Sequence, residues 1–138
     1  MRNLIAVLVL AAVFIGGCET LQSRSGQTVV TLVSMRVIEN AGDPASKAAQ
    51  IRAAVERIEG YLADTQILTL AGLEAIARKQ LNPDLPPSEA FLWEEAIMVV
   101  MQDLAERTPV DGVLTDEARA AAHSTLASIT RAIVLEGY

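Results

Sequence analysis

Apolar residues recur along most of the chain at the three- and four-residue spacing that places them on one face of an α-helix. The pattern is clearest in three segments, where charged or polar residues fill most of the intervening positions. Each of these apolar stripes predicts an amphipathic helix that packs against its neighbours. The stripes are Ile51, Val55, Ile58 and Leu62; Trp93, Ile97, Val100 and Leu104; and Ala122, Leu126, Ile129 and Ile133.

Capping and turn residues separate the predicted helices. Asp43 and Pro44 predict the start of one helix, since Asp accepts free backbone N–H groups and proline fits the first helical turn. Ser88 and Thr115 are predicted N-caps of two later helices. Residues 82–87 contain three prolines and cannot continue a helix.

Two further segments have a less decisive pattern. Residues 66–81 carry a wide arc of apolar positions, which predicts a helix that touches more than one neighbour. Residues 28–39 are rich in β-branched residues, which favour a strand. However, Val30, Val33 and Val37 share a helical face, and no other segment offers a strand for pairing. Helix is therefore favoured here, with a strand as the alternative.

We predict an all-α domain over residues 28–138, a small up-and-down bundle of four or five helices joined by short loops. The composition agrees, because only 4% of residues are aromatic while 51% are hydrophobic. A net charge of -6 and an isoelectric point near 4.7 argue against a nucleic-acid partner. The single cysteine excludes an intramolecular disulfide.

The amino terminus has a different pattern. A short positive segment, Met1-Arg2-Asn3, precedes 12 uninterrupted apolar residues from Leu4 to Ile15. Such a run is typical of a signal-peptide core, and it is shorter than the roughly 20 residues that a membrane-spanning helix needs. The run leads into Ile15-Gly16-Gly17-Cys18, which contains the chain's only cysteine.

The segment Ile15-Gly16-Gly17-Cys18 resembles the lipobox of bacterial lipoproteins, in which a branched apolar residue and two small residues precede a cysteine. The resemblance covers about the first 18 residues, and Gly16 departs from the more usual Ala, Ser or Thr. It implies that residues 1–17 are cleaved as a signal peptide and that the Cys18 thiol and its new amino group are acylated. In the alternative, the segment is an uncleaved anchor or an ordinary signal peptide, and Cys18 is a plain thiol.

The resemblance also implies a location. Two or three acyl chains on Cys18 would hold the protein in a bilayer without a spanning helix. In enterobacterial lipoproteins an aspartate after the cysteine favours the inner membrane, whereas this chain has Glu19. The expected location is thus the outer membrane of a bacterial envelope, facing the periplasm. Residues 18–27, the lipidated cysteine and a polar stretch, are predicted to be a flexible tether spanning roughly 15–18 Å.

Candidate catalytic chemistry is scarce. His123 is the only histidine, and no hydrolase, phosphate-loop or metal-binding motif occurs. The adjacent carboxylates of Glu94-Glu95 and of Asp116-Glu117 diverge by about 100° on a helix, so they do not converge on one substrate. We therefore expect no enzymatic activity, no cofactor, no metal site and no small-molecule substrate.

Trp93, Met98 and Met101 lie on one predicted helix and allow two interpretations. Core packing is favoured, since methionine fills irregular gaps between helices. The alternative is a groove for a partner helix or a lipid.

Two functions follow from these expectations. The favoured one is a non-enzymatic adaptor that holds or stabilises an envelope protein near the membrane. All-helical secretion pilotins are similar in size, lipid anchor and architecture. The alternative is a cell-wall-acting or phage-type lysis accessory lipoprotein, the class that includes outer-membrane spanin subunits.

Overall fold

The computed structural model describes residues 19–81 and 85–138, with side chains described from residue 26 onward in those ranges. Over this part of the chain the protein is a bundle of five helices with no strand, which confirms the predicted small all-α bundle. The helices are α1 (Glu19–Glu39), α2 (Pro44–Asp64), α3 (Leu70–Leu81), α4 (Pro87–Glu106) and α5 (Asp116–Leu135).

Helices α1 and α5 run parallel. The Thr31 hydroxyl lies 3.5 Å from the carbonyl oxygen of Ser128, 97 positions later in the chain. Near the carboxyl ends of the same helices, Glu39 lies close enough to Glu136 to raise the pKa of that carboxyl group, and this pair has the same offset. A constant offset over two turns means that the helices point the same way in fixed register.

Side-chain contacts also fix the direction of α2. Arg119 in the first half of α5 reaches the carbonyl oxygen of Leu62 in the last turn of α2. Arg52 in the first half of α2, by contrast, donates to the carbonyl oxygen of Tyr138, which follows the carboxyl end of α5. Helix α2 is therefore antiparallel to α5. Each helix also packs against the next one in sequence, as an up-and-down order requires.

Helix α1 is packed on three sides by other helices. It packs against α2, α4 and α5, whereas α3 packs only against α2 and α4. The side chains of Val30, Val33 and Val37 are all buried on its inner face. Helix, and not the alternative strand, is thus the structure of residues 28–39, because the three-sided burial of this face outweighs β propensity.

The start of α1 differs from the sequence-based expectation. Residues 19–27, predicted to be a flexible tether, form the first turns of α1. Most of these residues tolerate a helix well, and the Thr31 hydroxyl donates to the Gln27 carbonyl oxygen at 2.8 Å. The tether prediction is therefore wrong for residues 19–27, where a continuous helix leads into the bundle. The predicted signal peptide, residues 1–17, and Cys18 lie outside the described residues.

Two of the three predicted N-caps are present. The side chain of Asp43 accepts the Ser46 N–H at 3.1 Å, and the Thr115 hydroxyl oxygen accepts the Ala118 N–H at 3.1 Å. Ser88 is not a cap, because α4 begins at Pro87, two residues earlier than a cap at Ser88 would place it, with Pro86 in the N-cap position. Proline at the first helical position supplies the required φ, so the helix starts without a side-chain cap.

The loops between α2 and α3 and between α4 and α5 are joined by backbone hydrogen bonds. The Leu70 N–H donates to the Gly112 carbonyl oxygen at 2.8 Å, and the Leu114 N–H donates to the Leu68 carbonyl oxygen at 2.9 Å. This pairing includes an antiparallel bridge between Thr69 and Val113. Helix α3 consequently begins at Leu70 and not at residue 66 as predicted. We call the surface formed by residues 65–69 and 107–115 the loop end of the bundle.

Candidate functional site

The predicted lipid-attachment residue, Cys18, lies outside the described part of the chain, one residue before α1 begins. The peptide bond to Glu19 keeps their two Cα atoms about 3.8 Å apart. An anchor on Cys18 would therefore be carried directly at the amino end of α1. None of the five helices in the described ranges is long and apolar enough to cross a bilayer.

The predicted partner groove does not form as one surface. Trp93 is 1% exposed and is the largest fully buried side chain of the described core. Met101 is partly buried against that core, whereas Met98 is 54% exposed on the outer side of α4. The three residues therefore do not share one surface. Trp93 lies on the inner face of α4, Met101 lies at the edge of that face, and Met98 lies on the outer side of the helix. Trp93 and Met101 therefore follow the core interpretation.

Trp93 and Met101 both line an apolar cavity at the centre of the bundle. Its volume is about 50 Å³, and all five helices contribute to its wall. The one polar lining residue is Thr125, whose hydroxyl donates to the Ala121 carbonyl oxygen at 3.0 Å. Small-molecule sites typically measure about 300–1,000 Å³, so this space is a packing gap that is too small for a substrate or cofactor.

Two of the four candidate carboxylates, Glu94 and Glu117, form ion pairs. Glu94 pairs with Arg78 and thereby links α4 to α3, while Glu117 pairs with Arg107 at 3.0 Å across the loop from α4 to α5. His123 is exposed on α5. In residues 19–81 and 85–138, no group of three acidic, histidine or cysteine side chains could hold a metal ion. The ion pairs of Glu94 and Glu117 therefore connect neighbouring elements of the bundle.

One strongly connected residue was missed by the sequence analysis. The guanidinium of Arg119 donates to three carbonyl oxygens at the end of α2, those of Leu62 at 2.6 Å, Thr65 at 2.7 Å and Gln66 at 2.9 Å. Carbonyl groups in the last turn of a helix lack partners within the helix, and a cation there also suits the helix dipole. Arg119 thus terminates α2 and fastens it to α5. No local sequence signal marks a contact across more than 50 residues.

Two carboxyl groups meet at the other end of the bundle. Partial burial raises the pKa of Glu136, and repulsion and hydrogen bonding by the neighbouring Glu39 raise that pKa further. Because the pKa in the folded state lies above the unfolded value of about 4.5, the pair favours folding at acid pH. That contribution is lost as the pH rises through the folded-state pKa.

Glu136→Gln is therefore expected to raise the melting temperature at pH 7 and to change it little at pH 4. The amide keeps a hydrogen-bonding group next to Glu39 without the second negative charge. Thermal unfolding followed by circular dichroism at both pH values measures the effect, with Glu56→Gln on the exposed side of α2 as the control. A lower melting temperature at pH 7 would contradict this account.

The six large apolar side chains in the described ranges that are more than half exposed fall into three places. Phe91 and Met98 lie two turns apart on the outer side of α4. Ile67 and Val110 project from the loop end, and Val134 and Leu135 lie at the carboxyl end of α5.

The sequence matched no protein-family model, and searches of curated proteins and of solved structures found no relative.

Proposed function

We propose that this protein is a lipid-anchored, non-enzymatic adaptor of the bacterial envelope, attached through acyl chains on Cys18. The observation that carries the proposal is the placement of the chain's only cysteine after Ile15-Gly16-Gly17. That is the one position at which lipoprotein processing requires a thiol. The expected location, from Glu19, is the periplasmic face of the outer membrane.

The fold supports the proposal in two ways. Helix α1 begins at Glu19 and packs against three other helices, so the anchor would be joined to the bundle through α1 and would hold the domain against the leaflet. The gap inside the described bundle is small and apolar, and two of the described carboxylates, Glu94 and Glu117, pair with arginines on another helix or loop. A protein that acts by position and surface contact fits these features better than one that turns over a substrate.

Cys18→Ser is expected to release the protein from the membrane fraction almost completely. Each buried methylene contributes about 0.8 kcal/mol, so two or three acyl chains hold a protein essentially permanently and their loss leaves no comparable attachment. Separation of soluble and membrane fractions, followed by immunodetection, measures the change. Thr20→Ser, a similarly small change two residues away, is the control and should remain with the membrane. Equal membrane recovery of the wild type and Cys18→Ser would contradict lipid anchoring.

Glu19→Asp separates location from attachment. By resemblance to enterobacterial lipoproteins, the variant is expected to remain membrane-bound but to move from the outer to the inner membrane fraction. Density-gradient separation of the two membranes measures the shift. An unchanged distribution would remove the basis for the outer-membrane assignment while leaving the anchor intact.

The outer side of α4 is the surface at which contact with an envelope protein can be tested. Met98 is the exposed member of the predicted groove, and Phe91 lies on the same side of the helix. A photo-crosslinking amino acid at position 98 is expected to join a distinct envelope protein, whereas the same group at the exposed position 123 on α5 should not. Equal yields at the two positions, or no adduct at position 98, would count against an adaptor that binds through α4.

A further inference from the structure

We propose that the side chains of Ile67 and Val110 insert into the membrane leaflet that holds the anchor. The proposal rests on the proposed function, because acyl chains on Cys18 would bring this end of the molecule to the lipid. It adds a second, non-covalent membrane contact made by the folded domain itself.

The two side chains are the most exposed large apolar groups in the described ranges. Ile67 is 75% exposed and Val110 is fully exposed. Scattered exposed apolar residues are ordinary on a protein surface. These two, however, project from neighbouring loops that are held together by the hydrogen bonds between residues 68–70 and 112–114. Thr69 and Val113 form an antiparallel bridge, so Ile67 and Val110 lie on opposite sides of it, both at the loop end and both on a fixed support.

The register of α1 against α5 shows which way the loop end faces. Thr31 lies level with Ser128, and the helices are parallel. Glu19 is twelve residues before Thr31 and Asp116 is twelve residues before Ser128, so the first residues of the two helices lie at the same height. Asp116 directly follows the loop that carries Val110. The chain therefore leaves the bundle toward Cys18 from the same end that presents the two apolar side chains.

The length of chain between anchor and bundle allows little separation. Because α1 begins at Glu19, no flexible segment lies between Cys18 and the first helical residue. The sulfur and glyceryl part of such an anchor lies at the level of the lipid headgroups, while its acyl chains lie in the hydrocarbon core. The loop end must therefore lie within reach of the headgroup region. The occupant of the exposed apolar tip is accordingly the lipid surface.

The charged residues at the loop end determine which lipid headgroups favour insertion. Asp64, Asp111 and Asp116 are exposed there. The cations described at this end are already engaged, Arg107 by Asp103 and Glu117 and Arg119 by backbone carbonyls. An acidic rim gains nothing from anionic headgroups. Insertion should therefore need the anchor and should be deepest in neutral lipid.

The test uses nitroxide labels on full-length, lipidated protein reconstituted into phosphatidylethanolamine–phosphatidylcholine vesicles. Acylation blocks the thiol of Cys18, so Val110→Cys or Ile67→Cys introduces a single labelling site. Val134→Cys is the matched control, an exposed valine at the opposite end of the bundle. Collision with oxygen and with a water-soluble nickel complex reports the depth of each label. Circular dichroism checks that every variant folds.

Labels at positions 67 and 110 are expected to gain oxygen access and lose nickel access when vesicles are present, while the label at 134 stays aqueous. The shift should shrink when phosphatidylglycerol is added, and Ile67→Asp should reduce it at position 110. Aqueous labels on an acylated, vesicle-bound chain would overturn insertion and leave the anchor standing. Labels already shielded without vesicles would assign the tip to a second protein copy and also overturn it. A free Cys18 thiol would overturn the proposed function, and this proposal with it.

Discussion

Trp93→Ala is expected to lower the free energy of unfolding by about 3–5 kcal/mol, the usual range when a large aromatic side chain is deleted from a core. Trp93 is 1% exposed and lines the central cavity of about 50 Å³. Removing the indole would merge its volume with that cavity, at the point where the other four helices converge. Because domains of this size are stabilised by only about 5–15 kcal/mol in total, the variant should lose a large share of its stability.

Urea and thermal unfolding, followed by circular dichroism, measure this loss. The melting temperature should fall by roughly 10–25 °C. Phe91→Ala is the matched control, because it deletes an aromatic ring two residues away on the exposed side of the same helix. That change should stay within about 0.5 kcal/mol of the wild type. Similar losses for the two variants would show that Trp93 is not at the centre of the core.

Arg119→Ala is expected to lower the free energy of unfolding by about 2–3 kcal/mol. The change removes a charged donor from three carbonyl oxygens, and hydrogen bonds to charged groups contribute about 1.5–3 kcal/mol each when measured singly. The expected total is below their sum because the α2 end is partly open to water, which can replace some of the bonds. The same denaturation measurements detect the loss.

Two variants separate geometry from charge at this position. Arg119→Lys keeps the positive charge but lacks the planar fork that serves several carbonyls, so it should recover only part of the stability. Arg131→Ala removes an exposed arginine from the same helix and should have little effect. Full recovery by lysine would mean that the helix dipole alone, and not the three hydrogen bonds, stabilises the end of α2.

The helices with regular apolar stripes could be predicted from sequence because burial follows local periodicity. The stripe on α4 is buried at Trp93, Ile97, Val100 and Leu104, as the three- and four-residue spacing indicates. The N-caps at Asp43 and Thr115 could be predicted equally well, since an N-cap depends on residues within one turn.

Features that depend on distant parts of the chain could not be predicted in the same way. The start of α3 at Leu70 follows from hydrogen bonds to residues 112–114, and the role of Arg119 depends on the end of α2. The extension of α1 through residues 19–27 was missed because a polar segment with serine and glycine resembles a linker by composition. In each case the deciding partner lies outside the local pattern.

The predicted groove of Trp93, Met98 and Met101 also could not be judged from local sequence alone. Sequence places Met98 and Met101 beside an apolar stripe, but it does not show which side faces the bundle. In the structure, Met101 lines the cavity, while Met98 is exposed on the outer side of α4 with Phe91. A surface for a partner is therefore narrower than the three predicted residues suggested, and it excludes Trp93.

Mass spectrometry of the amino-terminal peptide, from protein isolated out of bacterial membranes, tests the central claim most directly. The account predicts a chain that begins at Cys18, with a diacylglyceryl group on its sulfur and an acyl group on its amino nitrogen. An uncut chain that still carries residues 1–17 and a free Cys18 thiol would contradict lipid anchoring, the proposed location and the membrane contact of the loop end together.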